Sequence, residues 1–159
     1  MNINKMNKLV VFHLDEQQFA LHLSNVERII HSIEIHPMPM APEHISGIIN
    51  YQGEFLPVVN IRKLFRLPVR EIELTDQLII ANTDKNRLVL WVDSVDEIAT
   101  MTDEEIANTD KILLDSGYVE GLFKLRDKIV LIHDLDKFIT PEQIVKLKDA
   151  IQKQLEKQD

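Results

Sequence analysis

At 159 residues, 45% of them hydrophobic, the chain holds enough apolar material for one folded domain or two very small ones, and its body is not disordered. Its 18 basic residues against 26 acidic ones leave a formal charge of -8, whose field repels a phosphate backbone and so argues against nucleic acid as a partner. With no cysteine there are no disulfides, zinc–thiolate sites, iron–sulfur clusters or thiol catalysis, which fits a reducing, cytoplasmic setting.

Taken in chain order, the amino-terminal apolar run, Leu9 to Phe12, is too short for a signal-peptide core. No later stretch approaches the ~18 apolar residues of a spanning helix, so no insertion into a membrane is expected. From Val10 to Leu23, VVFHLDEQQFALHL alternates apolar and polar residues around a polar DEQQ, which predicts a β-hairpin. His36 to Pro42 packs three prolines and two methionines into a short extended connector, with an exposed methionine contact as the alternative reading. GIINYQGEFLPVVNIRKLF, from Gly47 to Phe65, predicts a second hairpin with Gly53 in its turn. LIIANTDKNRLVLWV, from Leu78 to Val92, predicts a third around NTDKN. DEEI after Thr102 reads as a solvated first helical turn. Thr140-Pro141-Glu142-Gln143 supplies an N-cap, a first-turn proline and a capping-box Gln for a helix whose apolar face is Ile144, Leu147, Ile151 and Leu155. KQLEKQD at its end is expected to fray.

The hairpins repeat. Phe19 to Ile29 lies ungapped on Leu88 to Ile98 at an offset of 69, and Ile45 to Phe65 lies on Val119 to Ile139 at an offset of 74, with Gly47 on Gly121 and Lys63 on Lys137. The growth of the offset predicts one five-residue insertion between the hairpins of the second half. The inference is an internal duplication, Lys8 to Phe65 and Leu78 to Ile139. A half with four or five short strands suits a small closed β-barrel filled by Val, Ile, Leu and Phe, and parallel α/β architecture is disfavoured. The expected fold is mainly all-β: barrel one over 8–76, barrel two over 77–139, and a helix over 140–159.

A catalytic constellation is not found. Six histidines occur without helical metal-ligand spacing, although His13 and His22 are placed to meet across the first hairpin. The serines lack a nucleophile-elbow context, four glycines form no phosphate-binding loop, and the acidic pairs have no nucleophile beside them. No enzyme, metal or cofactor is expected.

One resemblance covers Lys8 to Ile139. VVFHLDEQQFALHLSNVERII, P-x-x-I-x-G-I-I-N at Pro42 to Asn50, the turn at Gly53, P-V-V-N-I-R at Pro57 to Arg62 and W-V-D-S-V-D-E-I at Trp91 to Ile98 occur in the order shown by the CheW-like coupling proteins of bacterial chemotaxis. The resemblance implies two five-stranded SH3-like β-barrels. It also implies a non-enzymatic scaffold joining the cytoplasmic tips of methyl-accepting chemoreceptors to the regulatory domain of a CheA-type histidine kinase. Carried over position by position, it makes Val26, Arg28, Gly47, Gln52 and Gly53 receptor-contact candidates and Arg62 a further surface candidate. Val26 in the core and Gly47 at a close backbone approach are the structural alternatives.

The chain departs from the family pattern at Arg28 and Gln52, where a glutamate and an arginine are usual, while the second half keeps those charges as Glu97 and Arg126. Glu97 and Arg126 are therefore expected to form an ion pair, and Arg28 to bond Gln52 or pair with Glu54. Asn60 stands where aspartate is usual, and Trp91 where a smaller residue is usual. Two other readings stay open: an adaptor of the same fold in another array, such as one for surface motility, and a small metal- or ligand-binding barrel using His13 and His22.

Overall fold

The structure, a computed structural model, describes residues 5–108 and 117–157. All four hairpins form. β1 (Met6–Leu14) turns at Asp15 into β2 (Gln17–His22), so two residues of DEQQ belong to a strand and the turn is tighter than expected. β4 (Ile45–Tyr51) and β5 (Glu54–Val59) are joined by Gln52 and Gly53, both at positive φ, as a two-residue hairpin turn with the right twist requires. β6 (Gln77–Asn82) pairs with β7 (Arg87–Val92), and β10 (Val119–Leu125) with β11 (Lys128–His133) through the turn Arg126–Asp127. Three further strands complete the sheets: β3 (Val26–His31), β8 (Ser94–Thr102) and the two-residue β9 (Ala107–Asn108).

Two short helical turns follow the last strands of the halves. The first, α1 (Ile61–Leu64), is capped by Asn60, whose side chain accepts from the Lys63 N–H, so the asparagine does there what an aspartate would. A 3-10 turn at Leu135–Lys137 is its counterpart. The closing helix α2 (Pro141–Glu156) has the expected capping box, Thr140 Oγ1 accepting from Gln143 N at 3.1 Å and Gln143 Oε1 from Thr140 N at 2.9 Å. It runs on through Lys153–Glu156, which the sequence reading assigned to a frayed end. Asp103–Glu105 form the expected helical turn after Thr102, in 3-10 geometry.

The sheets do not follow the expected division at residue 76. One runs β8-β1-β2-β11-β10-β9 and the other β3-β6-β7-β5-β4, so each takes a hairpin from one half and three or more strands from the other. Equivalent pairings match residue for residue: Leu9 opposes Ala99 and Leu78 opposes Ile30, while Val11 opposes Glu97 and Ile80 opposes Arg28. Even the β-bulges coincide, at Val11/Phe12 on one ladder and Val26/Arg28 on the other. The duplication and both offsets are thus written into the register. The insertion is divided, because the His36–Ile48 bridge corresponds to the Ala107–Leu122 pair. His36 therefore maps onto Ala107 at an offset of 71, which splits the five residues into two before Ala107 and three after it.

Three apolar clusters explain the layering. Leu9, Val11, Ala20, Phe123, Val130 and Ile132 fill the concave side of the first sheet, and Ile49, Leu56, Val58, Leu78, Ile80 and Val89, with Trp91, fill the second. Between the sheets Phe12, Phe19, Leu21, Ile79, Leu90 and Val59 meet Ile61, Leu135, Phe138 and α2 through Leu147 and Ala150. Alternation along each strand sends one set of side chains to a sheet's own interior and the other to this shared layer. Each fully buried Leu, Ile or Phe there contributes about 1.5–3 kcal/mol, so the shared layer binds the two curled sheets into one body.

Candidate partner-binding surface

In the first sheet β8 is an edge strand, and the β10–β11 turn lies three strands away. Curling brings them together: Arg126 donates to both carboxylate oxygens of Glu97, at 2.6 and 2.9 Å, across the mouth of the sheet. This bidentate geometry holds the Glu97 carboxyl below its ordinary range.

The equivalent mouth of the second sheet is closed one position away. Arg28 stands on β3 where Glu97 stands on β8, and Gln52 occupies the turn position of Arg126; both are exposed. Among the described residues no hydrogen bond joins Arg28 to Gln52 or Glu54, in contrast to the expectation. Glu54 is taken by Arg87, which also donates to Glu27 at 2.6 Å and lies 5.7 Å from the centre of the Tyr51 ring. The sequence reading missed Glu27 and Arg87. Their signal was positional, because Arg87 opens β7 beside β5, where it meets Glu54, and reaches across β6 to Glu27 on β3. Held by Arg87 and by Asn82 at 3.1 Å, the Glu27 carboxyl also lies below its usual range.

Of the other candidates, Val26 is half-buried and packs on the central cluster, which supports its structural reading. Gly47 is buried at φ 155, and a Cβ there would stand 2.1 Å from the His36 carbonyl oxygen. That glycine lets the connector bridge onto β4, where His36 and Ile48 exchange two hydrogen bonds of 2.9 Å. Gly53 is exposed at φ 84 with open space around it. Gly47→Ala is therefore expected to lower the melting temperature by about 6–12 °C, since removing the bridge and refitting β4 costs about 3 kcal/mol, against about 1 kcal/mol and 2–4 °C for Gly53→Ala. Thermal unfolding followed by circular dichroism checks the contrast, and equal melting temperatures would deny Gly47 its structural role.

Arg62 is not surface. It is 2% exposed, because α1 turns its side chain into the junction between the sheets. Its guanidinium donates to Asp15 at 2.7 and 3.2 Å, to Asp93 at 2.7 Å and to the Pro68 carbonyl at 3.0 Å. Arg70 extends this network to Asp76 and shares Asp93, while Trp91 Nε1 donates to Asp76 at 2.9 Å, so the large indole is accommodated by a specific acceptor. Burial acts to raise the Asp76 pKa, yet Arg70, the Glu73 N–H and Trp91 together hold it below its ordinary value.

The two histidines weighed as a metal pair do not meet. His13 opposes Gln18 and His22 opposes Leu9; His13 Nδ1 bonds Asp96 at 2.8 Å, and His22 pairs with Glu120, which raises its pKa. Of the connector methionines, Met38 is buried and Met40 is exposed in a left-handed turn at φ 71. Around both mouths the same apolar positions stay exposed: Ile29 and Phe55 on one sheet, Ile98 and Ile129 on the other. Paired charges beside exposed aliphatic and aromatic residues suit reversible protein contacts better than small-molecule chemistry.

The residues 8–143 match the family model of the CheW-like domain. The chain belongs to the CheW-like family. It is 23% identical over 146 residues to the chemotaxis protein CheW of Treponema pallidum, covering 88% of this chain and 86% of that protein. To the CheW of Bacillus subtilis it is 28% identical over 141 residues, covering 85% and 88%. The crystal structure of the scaffolding protein TtCheW from Thermoanaerobacter tengcongensis superposes with a TM-score of 0.75 at 30% identity, covering 82% of this chain and 90% of that one. The CheW-like match ends three residues into α2, leaving most of the helix beyond it.

Proposed function

We propose that the protein is a non-catalytic adaptor of a chemosensory array, joining receptor cytoplasmic tips to the regulatory domain of a CheA-type histidine kinase. The observation that carries this reading is the CheW-like match over residues 8–143, on a fold that leaves Ile29, Phe55, Ile98 and Ile129 exposed beside the charges at the sheet mouths. The kinds of protein named among its relatives, chemotaxis and scaffolding proteins, support it. In this reading Arg28, Gln52 and Gly53 form the receptor-facing surface, Val26 and Gly47 shape it from beneath, and Arg62 holds the sheets in place. Glu97 and Arg126 are an ion pair that fixes the corresponding mouth of the other sheet.

Such an adaptor performs no covalent step. It binds two partners at separate surfaces, and a receptor state that binds more tightly shifts the kinase equilibrium by that difference in free energy and by no more. With no helix long and apolar enough to cross a membrane among the described residues, its place at the membrane follows from the receptor it binds.

Calorimetric titration with the kinase regulatory domain from the same organism, and separately with a receptor tip fragment, tests the reading. Saturable 1:1 binding to both is expected. Binding to neither would move the assignment to an array of another pathway, such as surface motility. Arg28→Glu is expected to weaken receptor-tip binding about tenfold, the loss typical of one charged contact of about 1.4 kcal/mol at an interface, with kinase binding and the melting curve unchanged. Unchanged tip affinity would remove Arg28 from the surface.

A further inference from the structure

Every ladder that builds a sheet out of hairpins joins the two halves of the chain. The β1–β2 hairpin pairs with β8 and β11, while β3 pairs with β6 and β5 with β7. Among the described residues no ladder links β1–β2 to β3, β4 or β5, or β6–β7 to any strand from β8 onward. The central cluster and the Arg62–Asp93 bond cross between the halves in the same way. Neither half has a sheet of its own to fold into.

The halves are joined covalently through the segment 66–76. Its first part belongs to the amino-terminal half: Leu67 N donates to the Arg62 carbonyl at 2.8 Å, and the Pro68 carbonyl accepts from Arg62. Its second part is anchored to the carboxyl-terminal half, where Arg70 donates to Asp93 at 2.7 Å and Trp91 Nε1 donates to Asp76 at 2.9 Å. Val69, between the two anchors, is 60% exposed. A connection anchored on both sides of one free residue can open there while both anchors stay made.

We propose that two copies of this chain exchange halves about Val69, so that Met6–Pro68 of one copy assembles with Arg70–Glu156 of the other. Each ladder, bulge and buried cluster of the monomer is then kept in the dimer, and only the path of the connection changes. The balance between the two forms is set by protein concentration and by the conformation of that connection. This goes beyond the adaptor reading and does not depend on which partners the protein serves. It concerns a second copy of the chain as partner, and it would place two complete copies of both sheet mouths on one particle.

The absence of cysteine makes the test direct. Lys8 and Thr100 oppose each other across β1 and β8, and both are exposed. Lys8→Cys is made in one chain and Thr100→Cys in another, and the two are unfolded, refolded together at high concentration and oxidised. A disulfide-linked heterodimer is expected, in a yield that rises with refolding concentration, and it should be absent when the same proteins are mixed after folding. As a second readout, wild-type chains of natural and heavy isotopic composition are refolded together and weighed intact, and a mixed-mass dimer is expected. A strictly monomeric mass at every concentration overturns the proposal. So does a disulfide heterodimer that forms equally from chains mixed after folding, since that would reflect surface collision.

Discussion

Replacing Arg62 with methionine is expected to lower the unfolding free energy by about 3 kcal/mol, the scale found when one partner is removed from a buried ion pair. The loss follows from geometry. Methionine fills most of the arginine stem but leaves Asp93 with only Arg70 and the Asp15 N–H, the Asp15 carboxylate without its two bonds from Arg62, and the Pro68 carbonyl without that donor. Arg62→Lys should recover only part of this, because one ammonium cannot reproduce the planar fork that reaches two carboxylates and a carbonyl. Urea denaturation checks the series. The Asp15 carboxyl, held low first by its hydrogen bond to Arg62, should return toward its ordinary value in Arg62→Met, so that the variant loses less of its remaining stability in acid. A change of 0.5 kcal/mol or less would mean that the carboxylates are served by water and that the junction is softer than its packing indicates.

The opposite sign is expected at His133. Its imidazole is 2% exposed, neither ring nitrogen has a hydrogen-bond partner among the described residues, and the rings of Phe12, Phe19, Phe65 and Phe138 lie 4.8 to 5.4 Å from it. Burial pushes its pKa down to about 3. The folded state therefore excludes a proton that the unfolded chain accepts below about pH 6.5, so this residue's contribution is intact above that pH and is lost as pH falls toward 3. Its slope is about 1.4 kcal/mol per pH unit across that window. His133→Phe should raise stability at pH 7 by about 1–3 kcal/mol, by removing two unsatisfied polar atoms, and should abolish that acid slope. The repeat supports the substitution: the position equivalent to His133 is Val59, fully buried and apolar. Subtracting the variant's pH profile from the wild type's isolates His133 from His22, whose raised pKa acts in the opposite direction. Parallel profiles between pH 6.5 and 4.5 would show that the ring is solvated.

The hairpins were legible because period-two alternation and polar turns are local signals, and the helix was legible because its capping box lies within four residues. β3 and β8 were not, since much of each strand is solvent-facing and Val26–His31 shows no clean alternation. The duplication was visible in residue spacing, yet spacing alone cannot tell whether a hairpin pairs within its own half or with the other, and the exchange of hairpins escaped it. The site was legible in part. The approach of Glu97 to Arg126 followed from the charge pattern of the CheW-like resemblance carried into the second half by the offsets, whereas Arg62 was misplaced because a cation near a strand end looks exposed until the acids that meet it, 47 and 31 positions away, are known. Arg87 was overlooked for the same reason: Glu54 lies on β5, which only the sheet order sets beside β7, and Glu27 lies on β3, one strand beyond β6.

The parallel pairing of β2 with β11 also sets a timetable for synthesis. Gln17 and Ile129, 112 positions apart, are hydrogen-bonded across that seam, so the first hairpin to leave the ribosome waits for one of the last. At about 5–20 residues per second the interval is of order ten seconds, during which Phe12, Phe19 and Leu21 have no permanent cover. Folding of the first sheet is thereby post-translational, high in contact order and slow for a chain of this length, and the nascent amino-terminal half is a natural client for chaperones that shield apolar hairpins.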